Sequence, residues 1–182
     1  MTAWKWSPVG GLAIWAAWKL LSWGAFPWET SAQGGALLNL LILLGLALGG
    51  AFVAMRQEAE TPDFVTALRE VGKAPLRFAL LVTAGMAVWY GTVAEEGVAA
   101  RREKMRTEAQ ALVEDDAQWE AFIAAQGAGA WDREAALAQQ LETIDTVFNP
   151  LLFLGLALLG LVLAGMVFSV VATVLWRSVW TR

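Results

Sequence analysis

Residues 36–55 read ALLNLLILLGLALGGAFVAM, a stretch of 20 residues without a charged side chain. At a rise of about 1.5 Å per residue, a helix of this length crosses the hydrocarbon core of a bilayer, which is about 30 Å thick. The stretch therefore predicts a transmembrane helix. Its one strongly polar side chain, Asn39, is expected to hydrogen-bond to a neighbouring helix rather than to hold a ligand.

Two later stretches have the same character. Residues 150–176 are uncharged and rich in Leu, Val and Ala. Residues 75–94 begin with Pro75 and carry only Arg77, near an end from which its side chain can reach lipid phosphates. Each stretch predicts a further span.

Residues 8–26 are expected to form a first span, but Lys19 lies near their middle. The alternative is a helix lying at the membrane interface, because tryptophans favour the headgroup boundary. This part of the chain carries six of them: Trp4, Trp6, Trp15, Trp18, Trp23 and Trp28. Spanning is favoured because the segment has no consistent polar face.

Residues 95–148 are polar, helix-prone and free of proline. A single outgoing helix would be much longer than its return, so we expect a break at Asp115 and Asp116, where Asp can cap a new helix. The expected helices are 95–113, 117–126 and 131–148, with the first and last packed together. The tip carries aromatic and apolar residues that either dock a partner or are buried: Trp119, Phe122, Ile123 and Trp131.

The predicted fold is an all-α membrane protein with four transmembrane helices and a helical hairpin stalk between helices 3 and 4. Residues 1–94 hold the first three spans, residues 95–148 the hairpin, and residues 149–182 the last span and a basic tail. Residues 57–74 are expected to form a short amphipathic segment on the cytoplasmic surface. Thr61 or Asp63 would cap its helix and Gly72 would end it.

Basic residues near the span ends set the expected orientation, because cytoplasmic loops are enriched in Lys and Arg. With four spans, seven bases fall on the side of the two termini: Lys5, Arg56, Arg69, Lys73, Arg77, Arg177 and Arg182. Both termini are therefore expected in the cytoplasm. The hairpin, with twelve acids against five bases, is expected outside.

From Met55 onward, the order of features resembles a known family. A basic exit leads into TPDFVTALREVGKA, then a span ending in Trp89-Tyr90, a charged helical segment with REKM, and Asn149-Pro150 before a last span rich in Gly and Ala. The chain resembles an uncharacterised family of small bacterial four-span membrane proteins, a domain of unknown function. The resemblance implies the bacterial inner membrane and carries no activity.

Lys19 and the small residues of the spans are the candidate interaction sites. A lysine at membrane depth either snorkels to the interface, lies shallower than assumed, pairs with a partner's carboxylate, or serves transport. Gly45 and Gly49 on the second span, with Gly160 and Ala164 on the last, can pack helices closely. Packing within the chain and packing between chains both remain open.

The composition excludes several chemistries. The chain has no His and no Cys, which removes imidazole bases, thiol nucleophiles and thiolate metal sites. No catalytic, cofactor or metal residues are predicted, and a net charge of −4 gives no indication of nucleic-acid binding. The expected function is a non-enzymatic accessory, scaffold or assembly subunit that contacts membrane lipids and other subunits or copies of itself. The alternative is a small oligomeric transporter or channel using Lys19 and Asn39.

Overall fold

The described residues are helical apart from short turns. The computed structural model describes residues 7–57, 63–126 and 132–180. The helices in these ranges are α1 (Ser7–Ser22), α2 (Trp28–Gln57), α3 (Phe64–Val88), α4 (Glu95–Glu114), α5 (Asp116–Gln126), α6 (Arg133–Val147) and α7 (Pro150–Trp180). A π-helical turn, Trp89–Val93, continues α3. The prediction of an all-α chain is confirmed for these residues.

Within the described residues, three helical stretches are long and apolar enough to cross a membrane. They are Thr30–Ala54, Phe64–Val93 and Pro150–Val179, which correspond to the spans predicted at 36–55, 75–94 and 150–176. Helix α1 has 16 residues and is about 24 Å long. It is not among these three stretches, so the fourth span remains a prediction.

The first helix is shorter than predicted. It ends at Ser22 rather than at Phe26, because Gly24 adopts a φ of 73°, a left-handed conformation that stops a helix and suits glycine. Helix α2 then begins at Trp28, eight residues before the predicted start of the second span at residue 36. This change places Lys19 in the last turn of α1 and not near the middle of a span.

Helix α3 corrects the prediction of a separate amphipathic segment at 57–74. It runs without a break through Gly72 and Pro75. Its buried residues follow one face of a single helix: Ala67, Val71, Ala74, Pro75, Phe78, Ala79, Val82 and Met86. This face is continuous across Pro75, since Val71 clusters with Ala172 of α7 and Pro75 lies against Gly165 of the same helix.

The proline in α3 has space because a glycine faces it. A Cβ added to Gly165 of α7 would lie 3.2 Å from the Pro75 Cβ atom. At the start of α3, Asp63 acts as the cap, since its Oδ1 accepts a hydrogen bond from the Thr66 N–H at 2.8 Å. The alternative cap, Thr61, lies outside the described residues.

The chain divides into two compact units. One comprises Met1–Met86 and Leu156–Arg182, and the other comprises Ala87–Gly155. We call the first the helix bundle and the second the hairpin unit.

In the helix bundle, α1 runs antiparallel to α2. The Ser22 and Ser31 hydroxyls lie 2.9 Å apart, and a Cβ on Gly11 would come within 2.8 Å of Ile42 Cγ2. Helix α7 joins α2 and α3 through small buried residues: Ala47, Ala51, Val71 and Ala172.

In the hairpin unit, α4 packs against α6, as the apolar spacing predicted. The break expected at Asp115 is confirmed, because α4 ends at Glu114 and α5 begins at Asp116. Asp115 Oδ1 accepts hydrogen bonds from the N–H groups of Ala117 and Gln118 at 2.9 and 3.1 Å. These bonds lower the pKa of the Asp115 carboxyl. Asp132 caps α6 in the same way.

Candidate functional site

The two predicted intramembrane polar residues lie on facing helices of the bundle. Lys19 on α1 is 6% exposed, and Asn39 on α2 is 3% exposed. A Cβ on Gly35, one turn before Asn39, would lie 3.6 Å from the Lys19 Nζ atom. Lys19 is therefore buried against α2. Its place in the last turn of α1 suits a cation, because the end of a helix carries partial negative charge.

Polar side chains follow one another along the interface of α1 and α2. Lys19 and Ser22 lie at the end of α1. Because α1 and α2 are antiparallel, Trp15 on α1 lies about one turn further along the interface, at the level of Asn39 on α2. Trp15 Nε1 and Asn39 Oδ1 are buried without a hydrogen-bond partner among the described residues. The polar series ends at an apolar layer, where a Cβ on Gly11 would lie 2.8 Å from Ile42 and 3.0 Å from Phe78.

Two of the predicted small residues, Gly45 and Gly160, make no close helix contact within the bundle. A Cβ added to Gly45 or Gly160 would meet nothing within 4 Å, while Gly49 and Ala164 are half-buried. The close approach instead uses Gly165, whose added Cβ would lie 3.2 Å from Pro75 and 3.6 Å from Leu43. Packing within the chain through Gly45 and Gly160 is therefore not observed, and packing between chains remains a prediction.

The hairpin unit is closed on one side by an ion-pair clamp between α4 and α6. Arg102 Nη2 donates to Asp145 Oδ1 at 2.8 Å, and Arg106 Nη2 donates to both carboxylate oxygens at 2.7 and 2.8 Å. The hydrogen bonds from Arg102, followed by those from Arg106, lower the pKa of the Asp145 carboxyl. No local pattern in the sequence indicates this clamp, because its members lie about forty positions apart.

Trp119 is a core residue of the hairpin unit and not an exposed docking residue. It is 7% exposed and stacks on Phe122 with ring centroids 5.7 Å apart. The Arg133 guanidinium lies over the Trp119 ring at 5.6 Å and pairs with Asp116 at 2.7 Å. Phe122 and Ile123 are half-buried. Trp131 lies outside the described residues.

An open groove of about 590 Å³ is formed by α4, α5 and α6. Its apolar lining consists of Met105, Ala109, Leu112, Phe122, Ala136 and Ile144. Its polar lining consists of Glu108, Gln118, Gln139, Gln140 and Thr143. An apolar floor with hydrogen-bonding side chains around it is suited to bind an amphipathic segment.

The groove includes one of the predicted docking residues, Phe122. Two further lining residues on α4, Met105 and Leu112, are seven residues apart, an apolar spacing that is typical of a helix packing face. In the structure both are half-buried at the seam. An apolar residue that stays partly exposed between two packed helices marks a groove. Recognising such a residue requires the positions of both helices.

Metal chemistry finds no support in the part of the chain that is described. Its carboxylates form no group of three or more positioned to hold an ion.

Comparisons with protein families, curated proteins and solved structures give no match. The resemblance to small bacterial four-span proteins therefore remains a prediction.

Proposed function

We propose that the chain is a non-enzymatic integral membrane protein that acts as an accessory, scaffold or assembly subunit. The observation that carries this proposal is the groove of the hairpin unit, with its apolar floor and amide-rich edges. A protein surface of this kind binds by shape and hydrogen bonding and needs no catalytic group.

The proposed placement has α2, α3 and α7 in the bacterial inner membrane, with α1 as a fourth, shorter span. The length and composition of the three long helices support it, as does the packing of α1 along α2. Both termini would then be cytoplasmic, and the hairpin unit would form a stalk on the other side.

The occupant that fits the groove is an amphipathic helix of another membrane subunit. Such a helix would place apolar side chains, spaced three and four residues apart, against Met105, Leu112 and Ile144. Its polar flanks would meet the amides of Gln139 and Gln140, which can each donate and accept hydrogen bonds. Flexible lipid tails cannot use these amides, which favours a protein partner.

Site-specific crosslinking tests the proposal, because the chain has no native cysteine. Thr143→Cys carries a photo-crosslinker in the groove, and Thr107→Cys carries it on the exposed side of α4. The two positions are matched, since each threonine hydroxyl bonds the carbonyl four residues earlier, Gln139 or Glu103. We expect a crosslinked species of defined mass from position 143 alone.

Gln139→Trp is the companion variant, because Gln139 is an exposed lining residue and the larger side chain would obstruct the groove without entering the core. It should remove the crosslink from position 143 while the protein still purifies in mild detergent. A monodisperse monomer without a crosslink, or equal crosslinking from position 107, would overturn the proposal.

A small oligomeric transporter or channel is the second candidate. It is favoured by the burial of Lys19 and Asn39 on facing helices. Against it stands the apolar layer of Gly11, Ile42 and Phe78, which closes the polar series. A closed ring of identical chains, measured by mass in the same detergent, would favour this candidate over the subunit.

A further inference from the structure

Helix α3 carries a column of basic residues on the side opposite its buried face. Arg69, Lys73 and Arg77 are spaced four residues apart, so they lie along one face over about 12 Å. All three are exposed. This column exists because α3 is one helix through Pro75, since a break there would separate Arg77 from the other two.

Exposed leucines continue the same face. Leu76 lies one turn after Lys73 and is 49% exposed, and Leu80 lies one turn after Leu76 and is 53% exposed. A surface that changes from basic to apolar along a helix matches the two parts of a phospholipid, its phosphate and its acyl chains.

The charges around the column are also unbalanced. The described segments 52–57, 63–77 and 172–180, which meet at this end of the bundle, contain five bases against two acids. Asp63 is occupied as the cap of α3, and Glu70 pairs with Lys73. Arg69 and Arg77 have no acceptor among the described residues, so their guanidinium groups are available for phosphate.

We infer that Arg69, Lys73 and Arg77, with Leu76 and Leu80 beside them, form a binding site for an anionic phospholipid. The guanidinium groups bind the phosphate oxygens, and the leucines contact the start of the acyl chains. The site rests on the proposed membrane placement of α3 and is independent of the groove in the hairpin unit.

The test compares lipids at the surface of the full chain reconstituted in bilayers. Spin-labelled phosphatidylglycerol and spin-labelled phosphatidylcholine report how strongly each lipid associates with the protein. We expect the anionic lipid to be preferred, and added salt to weaken that preference by screening. Arg69→Gln with Arg77→Gln should lower the preference by up to about fivefold for each base, the factor that corresponds to about 1 kcal/mol per base.

Three further variants show what the site recognises. Lys104 is an exposed base on α4 that pairs with Glu108. Lys104→Gln removes this base and should leave the preference for anionic lipid unchanged. Arg69→Lys with Arg77→Lys should retain most of it. Leu76→Ser with Leu80→Ser should reduce it, because the leucines contact the acyl chains. If excess inorganic phosphate lowers the preference more than sodium chloride of the same ionic strength, the site binds free phosphate and the lipid assignment is overturned.

Two outcomes separate this inference from the proposed function. If the protein reconstitutes and the double glutamine variant keeps the full preference, the lipid site is wrong and the subunit proposal stands. If the protein does not enter bilayers at all, the membrane placement is wrong, and the lipid site is wrong with it.

Discussion

Two adjacent glycines in α1 show how strongly the role of a residue depends on its neighbours. A Cβ on Gly11 would lie 2.8 Å from Ile42 and 3.0 Å from Phe78, whereas a Cβ on Gly10 would meet nothing within 4 Å. Gly11 therefore allows α1 to approach two other helices, and Gly10 does not contribute to this contact. The sequence GG at these positions gives no indication of the difference.

Gly11→Ala should destabilise the helix bundle, and Gly10→Ala should not. Overpacking a close helix contact costs about 1–3 kcal/mol, while alanine in an exposed helix position gains up to about 1 kcal/mol over glycine. Thermal unfolding of the detergent-solubilised chain measures both variants. Equal melting temperatures for the two would show that α1 does not pack as described.

At the scale of the element, local signals were predictable and distant ones were not. The break at Asp115 was predicted because a capping carboxylate acts on the N–H groups two and three residues later. The continuity of α3 was not, because it depends on the space that Gly165 leaves for Pro75. The burial of Trp119 depends on Arg133, fourteen positions later and after the turn.

The Asp145 clamp gives the hairpin unit a defined dependence on pH. The pKa of folded Asp145 lies below the ordinary value of 3.8, so ionised Asp145 stabilises the folded hairpin. This stabilisation is complete above about pH 3.8, the value in the unfolded chain, and is lost as the pH falls through the lowered folded value. We expect hydrogen exchange in α4 and α6 to accelerate, after correction for intrinsic rates, over that acidic range.

Asp145→Asn should remove the acidic transition and should already raise exchange at neutral pH, because a neutral amide binds two arginines less strongly. Glu142→Gln is the matched control, since Glu142 is an exposed carboxylate on the same helix. If Asp145→Asn and the unmodified chain have the same pH profile, the clamp does not hold α4 to α6.

At the scale of the whole molecule, composition and helix length agree on three stretches of the described ranges that can cross a membrane. The hairpin unit is a separate compact unit with a charged surface. Because the bundle has apolar helices and the hairpin unit has a charged surface, we propose different roles for the two units. The bundle would hold the chain in the bilayer and contact anionic lipid, and the hairpin unit would bind a partner. The short α1 is the element on which the number of spans depends.

The proposed topology is tested most sharply by labelling single cysteines from each side of the membrane. The chain has no native cysteine that would add background labelling. The three single-cysteine variants are Ser7→Cys, Thr107→Cys and Ser178→Cys. Each is expressed in bacterial cells whose outer membrane and cell wall are then removed, and a membrane-impermeant maleimide is added before and after permeabilisation of the inner membrane. The proposed topology predicts that position 107 reacts from outside, and that positions 7 and 178 react only after permeabilisation. Reaction of positions 107 and 178 from the same side would contradict it.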